Sequence, residues 1–122
     1  MKKEYRVKKS SEIEKIMRKK QSKANGHFVI YKNTNHENTH FRFAVSVSKK
    51  YGNAVKRNKI KRQIREIISK IDIMDNYDLF IVVRNKANIL SFNESKDLII
   101  SLVKKLNILE VKKWKIQKNY NY

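Results

Sequence analysis

Residues 41–48 alternate between large apolar and small or polar side chains, and this pattern constrains the fold more than any other stretch of the chain. The large apolar positions are Phe41, Phe43, Val45 and Val47. Successive side chains of a β-strand point to opposite faces of a sheet, so the pattern predicts a strand with one buried face. The other face is small and polar apart from Arg42, which favours the border of a groove over a dry core.

A strongly basic segment, residues 49–65, follows this strand and contains no Asp or Glu. From Ile60, isoleucines recur at 60, 64, 67, 68 and 71, which predicts a helix with one apolar face. Lys61, Arg62 and Arg65 fall on the opposite face. The start of this helix stays open, because Asn53 and Asn58 are both suitable N-caps. The position of Val55 off the isoleucine stripe favours the later start.

The composition indicates a polyanionic partner. The chain of 122 residues has 30 Lys and Arg against 11 Asp and Glu, a net charge of +19. Nucleic acid is the first candidate, and an anionic membrane surface is a weaker one. The absence of Cys excludes disulfides and thiolate metal sites. The N-terminus does not resemble a secretory signal and the longest apolar run, residues 79–83, is too short to span a bilayer, so we expect a cytoplasmic protein.

The remaining patterns predict one domain over residues 1–122 with an α+β layer architecture. Residues 1–9 form a basic arm. A capping box at residues 11–14 opens a helix that ends near Lys20, and residues 21–26 read as a loop. Strands are expected at 27–32 and, centrally in the sheet, at 79–83. A second capping box at residues 91–94 opens the last helix, and the basic residues 108–122 either extend it or form a flexible tail.

Two groups of residues look catalytic without supporting context. His36 to His40 spell the H-E-x-x-H pattern of zinc proteases, but this pattern needs a helix, and the surrounding Asn residues predict a turn. Asp72, Asp75 and Asp78 surround another turn, where turn and capping roles are favoured over metal binding. No nucleophile constellation or Gly-rich phosphate loop is present. The sequence therefore indicates no catalytic or metal site on the protein.

Residues 43–62 contain a motif that is highly specific for one protein family. The order of a strand, then Ser-Lys-Lys-x-Gly-x-Ala-Val-x-Arg-Asn at residues 48–58, then a basic helix resembles the signature of the bacterial ribonuclease P protein component. The resemblance extends from about Tyr5 to about Leu106. It implies a small two-layer α/β sandwich in the order αβββαβα, with a ribosomal-protein-like, left-handed βαβ crossover that is rare among proteins.

The resemblance also implies a surface for the catalytic RNA subunit. The matching positions in this sequence are Lys49, Lys50, Lys56, Arg57, Asn58, Lys59, Lys61, Arg62 and Arg65. The family's Arg-Asn-Arg triple ends here in Lys59 instead of Arg. Lysine keeps the charge but loses the bidentate geometry that arginine offers to phosphate.

A cleft for the single-stranded 5′ leader of precursor tRNA is implied as well. By position, its lining would be Ile13, Met17, Phe28, Tyr31, Arg42 and Ser46. Many relatives have Phe at the positions of Ile13 and Met17. Aliphatic side chains pack against bases without stacking on them, so Tyr31 becomes the favoured stacking platform.

The predicted function is therefore the protein subunit of ribonuclease P, which promotes removal of the 5′ leader from precursor tRNA. The resemblance implies that the RNA subunit, with Mg²⁺, carries the catalysis, that the protein alone is inactive, and that no membrane or protein partner is needed. Two alternatives stay open. One is a ribosomal protein or general RNA chaperone without leader preference, and the other is a metal-dependent nuclease that uses the acids at 72–78.

Overall fold

Three helices and four strands make up the part of the chain that the structure, a computed structural model, describes, residues 5–110. In chain order they are α1 (Ser10–Arg18), β1 (Ser22–Ala24), β2 (Phe28–Thr34), β3 (Arg42–Val47), α2 (Ala54–Ser69), β4 (Tyr77–Val83) and α3 (Phe92–Lys105). Short 3₁₀ turns lie at Lys49–Tyr51 and Asn85–Ile89. This order confirms the predicted αβββαβα architecture.

The strands form one mixed sheet in the order β1-β2-β4-β3. β4 pairs antiparallel with β2 and parallel with β3, so the apolar run at 79–83 occupies the predicted central strand. Because β3 and β4 are parallel, α2 connects them as a βαβ unit. The left hand of this crossover stays a prediction from the family.

The two faces of the sheet carry different layers. The main core lies between the sheet and helices α2 and α3, where Phe28, Phe43 and Ile64 are at most 1% exposed. On the other face, Ile16 of α1 packs with Val7 and Phe80 in a smaller cluster. Since α1 has only nine residues, part of that face is left uncovered.

The helix starts test the capping predictions. α1 begins at Ser10 without a side-chain cap, so the capping box predicted at residues 11–14 is wrong, and Glu14 instead pairs with Arg18 at 3.5 Å. The capping box of Ser91 with Glu94 is confirmed, since each side chain accepts a hydrogen bond from the other's backbone N–H.

The start of α2 is the earlier of the two alternatives. Asn53 is the N-cap, and its Oδ1 accepts a hydrogen bond from the backbone N–H of Lys56 at 2.9 Å. The preference for the later start was wrong because Val55, which lies in the first turn, is 75% exposed. That turn projects beyond the core and needs no apolar side chain.

Strand β1 lies within the segment predicted as a loop. All three of its residues are exposed, and backbone pairing with β2 holds it at the sheet edge, with Lys23 opposite Ile30. A strand that buries no side chain leaves no alternation in the sequence. The signal that predicts strands is therefore missing here.

Both ends of the described chain dock on the fold. In the predicted basic arm, Val7 donates its backbone N–H to the Phe43 carbonyl at 2.9 Å. At the other end, Asn107 has a φ of 57° and Ile108 is fully buried, so α3 does not run on into residues 108–110. Residues 1–4 and the rest of the predicted tail, 111–122, lie outside the described residues.

The segments that resembled catalytic motifs have other structures. Residues 36–37 form a turn and 38–40 are irregular, so the turn interpretation of the His36 segment is confirmed. Asp78 lies inside β4 and not in a turn. Among residues 5–110 no group of three or more His, Cys, Asp or Glu side chains is placed to hold a metal ion. No helix within the same range is long and apolar enough to cross a membrane.

Candidate RNA interface

Helix α2 carries most of the basic sequence block. Its isoleucine stripe, from Ile60 to Ile68, is buried against the core, and the polar positions between the isoleucines remain accessible. The residues predicted to bind the RNA subunit all lie on this helix or on the 3₁₀ turn at its N-terminal end. All nine residues therefore lie on one continuous segment, with Lys61 and Arg65 on one flank of the helix and Lys56 and Lys59 on the other.

A groove runs beside this helix along β3, at the edge of the sheet. It has a volume of about 440 Å³ and is lined by Arg6, Val7, Lys8, Ile13, Phe43, Ala44, Val45, Ser46, Val47, Lys61, Arg65 and Phe80. We call it the sheet groove. Its floor is the sheet, one wall is the N-terminal segment docked on β3, and the other wall is α2. The groove therefore connects Ser46 of β3, which was predicted to bind the leader, with the helix that was predicted to bind the RNA subunit.

The charges of the sheet groove are uncompensated. Arg6, Lys8, Lys61 and Arg65 line it, and none of them forms an ion pair among residues 5–110. Burial lowers the pKa of Arg65 from its ordinary value, and the nearby positive charge of Arg6 lowers it further. The two guanidinium cations repel each other, and an anion between them would relieve this repulsion.

Arg42, predicted to line the leader cleft, is instead part of a closed network. Its Nη2 and Nε donate to the two carboxylate oxygens of Asp78 at 2.9 and 3.1 Å, and its Nη1 lies 3.4 Å from Glu12 of α1. The turn that follows β2 joins the network, because the amides of Asn35 and Asn38 also donate to Asp78. Arg42 therefore fastens α1 and this turn to the sheet and has no unpaired charge for RNA.

The electrostatics of Asp78 follow from this network. Burial alone would raise the pKa of its carboxyl group, but the hydrogen bonds from Arg42, Asn38 and Asn35 outweigh burial and hold the pKa below its usual value. The pKa of Arg42 is raised, chiefly by the hydrogen bond to Asp78. Both groups are therefore charged at neutral pH.

An aromatic surface adjoins the sheet groove. Tyr31 is half-buried, and its ring lies 6.0 Å from that of Phe80, between centroids, with 30° between the planes. Ile13 of α1 packs against the same cluster. Met17, one turn further along α1, is 37% exposed. A flat side chain thus lies beside a cationic track, which is the combination that single-stranded nucleic acid requires.

The comparisons with known proteins agree with one another. The family model for ribonuclease P matches residues 1–107. The ribonuclease P protein component of Acholeplasma laidlawii is 40% identical over 112 residues, 90% of this chain and 96% of the relative. That of Macrococcus caseolyticus is 46% identical over 96 residues, 77% of this chain and 83% of the relative.

Solved structures show the same family. The ribonuclease P protein of Staphylococcus aureus superposes with a TM-score of 0.80 at 38% identity, over 87% of this chain and 98% of that protein. The protein from Thermotoga maritima gives a TM-score of 0.73 at 25% identity, over 82% and 96% of the two chains.

The chain belongs to the ribonuclease P protein family. It is thereby a subunit of ribonuclease P, an RNA-binding endoribonuclease ribonucleoprotein of tRNA processing. This confirms the predicted fold and function, and nothing in these comparisons favours the ribosomal-protein or chaperone alternative.

One predicted cleft residue of this ribonuclease P protein is on the wrong side of the sheet. Phe28 is fully buried in the main core and does not share a face of the sheet with Tyr31. The two residues are three positions apart in one strand, and an odd separation places side chains on opposite faces. Ser46 does line the sheet groove and is exposed, as the prediction requires.

Sequence reasoning missed several groove residues, among them Phe80, Arg6 and Lys8. Phe80 lies inside a continuous apolar run, which gives no sign of which face each side chain occupies. Arg6 and Lys8 belong to the predicted basic arm, residues 1–9, which the sequence pattern does not place against the sheet. The alternation of Tyr5 and Val7 with Arg6 and Lys8 was the available signal, because a segment that docks on a sheet buries every second side chain.

Proposed function

We propose that this subunit binds the catalytic RNA of ribonuclease P through the exposed surface of α2 and holds the 5′ leader of precursor tRNA in the sheet groove, and so promotes 5′-end maturation of tRNA. The observation that carries the proposal is the sheet groove itself. It joins an aromatic surface to four uncompensated cations.

The groove has the chemistry of a single-strand site. A base stacked on Tyr31 gains contact with a ring that Phe80 already holds in place. The phosphates on either side of that base would approach Arg65 and Arg6, whose mutual repulsion an anion relieves. Mature tRNA has no leader and would leave these contacts unmade, so precursor binds more tightly than product.

The RNA subunit would occupy the outward surface of α2. Asn58, Lys59 and Arg62 are exposed there, on the side of the helix opposite the isoleucine stripe. Lys49 and Lys50 continue the positive charge onto the preceding turn. Contacts of this kind neutralise phosphates and give an affinity that falls steeply with salt. Lys59 acts as a point charge, whereas Arg62 can bind phosphate through two donors.

Mg²⁺ is the cofactor in this proposal, and RNA phosphates of the catalytic subunit hold most of it. Phosphoryl transfer depends mainly on positioning and on stabilising charge, which bound divalent cations supply. The protein's own part is to fix the leader and to reduce repulsion between the two RNAs. It would work in the cytoplasm with these RNAs as partners, without a membrane or a further protein.

The test compares two substitutions of one residue in the reconstituted ribonucleoprotein. Tyr31→Ala removes the stacking surface, and Tyr31→Phe keeps it. Stacking contributes about 1–3 kcal/mol per base, so we expect Tyr31→Ala to weaken binding of precursor tRNA by about fivefold or more and to spare mature tRNA. Tyr31→Phe should resemble the unmodified protein. Equal losses of affinity for precursor and mature tRNA would show that the leader does not bind at Tyr31.

A further inference from the structure

Helix α2 separates two pockets. On one flank, Lys61 and Arg65 line the sheet groove. On the other flank, Lys56, Lys59 and Gln63 line a second pocket with a volume of about 260 Å³. The spacing explains the division, because residues three and four apart share one side of a helix. The residues predicted to bind one RNA are thus divided between two sites.

The second pocket is built by two 3₁₀ turns that pack against each other beside α2. The turn at Lys49–Tyr51 contributes the half-buried ring of Tyr51, and the turn at Asn85–Ile89 contributes Asn88, followed by Leu90. Backbone hydrogen bonds fix both turns, from Tyr51 to Ser48 at 3.0 Å and from Leu90 to Ala87 at 3.1 Å. We call this site the Tyr51 pocket.

The lining of the Tyr51 pocket combines three kinds of group. Tyr51 offers an aromatic surface, and Leu90 offers an apolar one. The amides of Gln63 and Asn88 each have a donor and an acceptor. Lys56 and Lys59 bring positive charge, and neither forms an ion pair among residues 5–110. Burial raises the pKa of the Tyr51 hydroxyl, so this group stays protonated and adds a further donor.

Gly52 shapes one wall of the pocket. A Cβ atom at this position would lie 3.0 Å from Cδ of Lys56 and 3.2 Å from its Cβ. The absence of a side chain at Gly52 therefore lets the stem of Lys56 pack directly against the turn. This contact holds the lysine beside Tyr51 and limits its freedom before any ligand binds, which lowers the entropic cost of binding.

We propose that the Tyr51 pocket binds one unpaired nucleotide of the catalytic RNA subunit, with its base against Tyr51, its polar edge on Gln63 and Asn88, and its phosphates on Lys56 and Lys59. This inference rests on the proposed role of α2 as the anchor to that RNA. The nucleotide belongs to the RNA subunit and not to the leader, because α2 lies between this pocket and the sheet groove. Amide side chains pair best with adenine, which makes adenine the expected base.

The first experiment measures the affinity of the protein for the catalytic RNA subunit in the absence of tRNA. Tyr51→Ala is expected to weaken binding about tenfold and Asn88→Ala about threefold. Tyr51→Phe keeps the ring and loses only the hydroxyl donor, so it should weaken binding less than Tyr51→Ala. The salt dependence should stay unchanged in all three, since no charge is lost. Asn85→Ala is the matched control, because this exposed amide lies in the same 3₁₀ turn but outside the pocket, and it should leave the affinity unchanged.

Asn88→Ala keeps the test decisive if Tyr51→Ala loses stability, because Asn88 is exposed and its removal leaves the core intact. Equal affinities of Asn88→Ala and Asn85→Ala for the RNA subunit would overturn the proposal that the Tyr51 pocket binds a nucleotide. That result would leave the leader role intact, provided that Tyr31→Ala still weakens binding of precursor tRNA and spares mature tRNA.

The second experiment identifies the partner. Ile89, which is 80% exposed and lies between Asn88 and Leu90, is replaced with p-benzoylphenylalanine, and the ribonucleoprotein is irradiated with precursor tRNA bound. Crosslinks to an unpaired nucleotide of the RNA subunit are expected. Crosslinks to the leader, or only to base-paired segments, would contradict the assignment.

Discussion

Two arginines near β3 have opposite surroundings. Arg42 begins β3 and is surrounded by acceptors, with both oxygens of Asp78 within 3.1 Å and Glu12 at 3.4 Å. Arg65, on α2, faces the groove with Arg6 nearby and forms no ion pair within residues 5–110. The first stabilises the fold, and the second is available to an anion from outside.

The contrast separates positive charge in a sequence from positive charge that can bind RNA. In a chain with a net charge of +19, acidic residues are few. The buried ones determine which cations are paired within the protein. Asp78 forms such a pair with Arg42. No comparable acid faces Lys61 or Arg65 within the described residues, so binding capacity concentrates at that end of the groove.

The largest effect should come from breaking the closed network. Arg42→Ala leaves the carboxylate of Asp78, whose side chain is 4% exposed, without its charged partner, and such a loss costs about 3–5 kcal/mol. We expect the free energy of unfolding, measured by urea denaturation, to fall by about 3 kcal/mol. The matched variant Arg65→Ala should change it by less than about 0.5 kcal/mol.

Similar stability losses in these two variants would contradict the division between a structural and a binding arginine. A rise in the stability of Arg65→Ala would sharpen it. That rise is the direction expected if repulsion between Arg6 and Arg65 strains the free protein.

Acid should weaken the same network by a smaller amount. Because the folded-state pKa of Asp78 is depressed, protonation favours the unfolded state. The contribution of Asp78 is fully present above its unfolded pKa of about 3.9 and is lost as the pH falls through the folded value. We expect the free energy of unfolding to decline from pH 5 to pH 3, and to decline less steeply in Asp78→Asn. Parallel pH profiles would show that other carboxyl groups control acid unfolding.

The smallest effects concern single phosphate contacts on α2. Arg62→Ala and Arg65→Ala should each weaken binding to the catalytic RNA subunit. Each should also reduce the slope of log affinity against log salt concentration by about one. Arg62 should act on the RNA subunit alone, whereas Arg65 should also affect leader-bearing tRNA. Arg42→Ala, tested where it remains folded, should leave the slope unchanged. A reduced slope in that variant would mean that Arg42 contacts RNA after all.

Periodicity in the sequence predicted most of the fold. The alternation at 41–48, the isoleucine stripe from Ile60 and the capping box at Ser91 each correspond to an observed element, because each reflects burial of one face. Elements that bury little left no such signal. Strand β1 is entirely exposed, and the first turn of α2 projects into solvent, so both were missed or misplaced.

The candidate site was predictable in its residue types but not in its pairings. The signature around Arg57 and Asn58 identified the family and placed the cationic surface. Whether a given arginine is paired depends on contacts between distant positions, such as Arg42 with Asp78, and a single sequence does not display them. The same limit explains Arg6, whose place in the groove depends on a single β-bridge to Phe43.

Reconstitution tests the central claim most directly. The protein is combined with a bacterial ribonuclease P RNA at low Mg²⁺, and cleavage is measured for precursor tRNA with a leader of several nucleotides and for precursor tRNA with a minimal leader. We predict that the protein alone cleaves nothing, that it restores cleavage by the RNA, and that the gain depends on the leader. An RNA subunit that gains no activity from the protein, or precursor cleavage by the protein alone, would contradict this account.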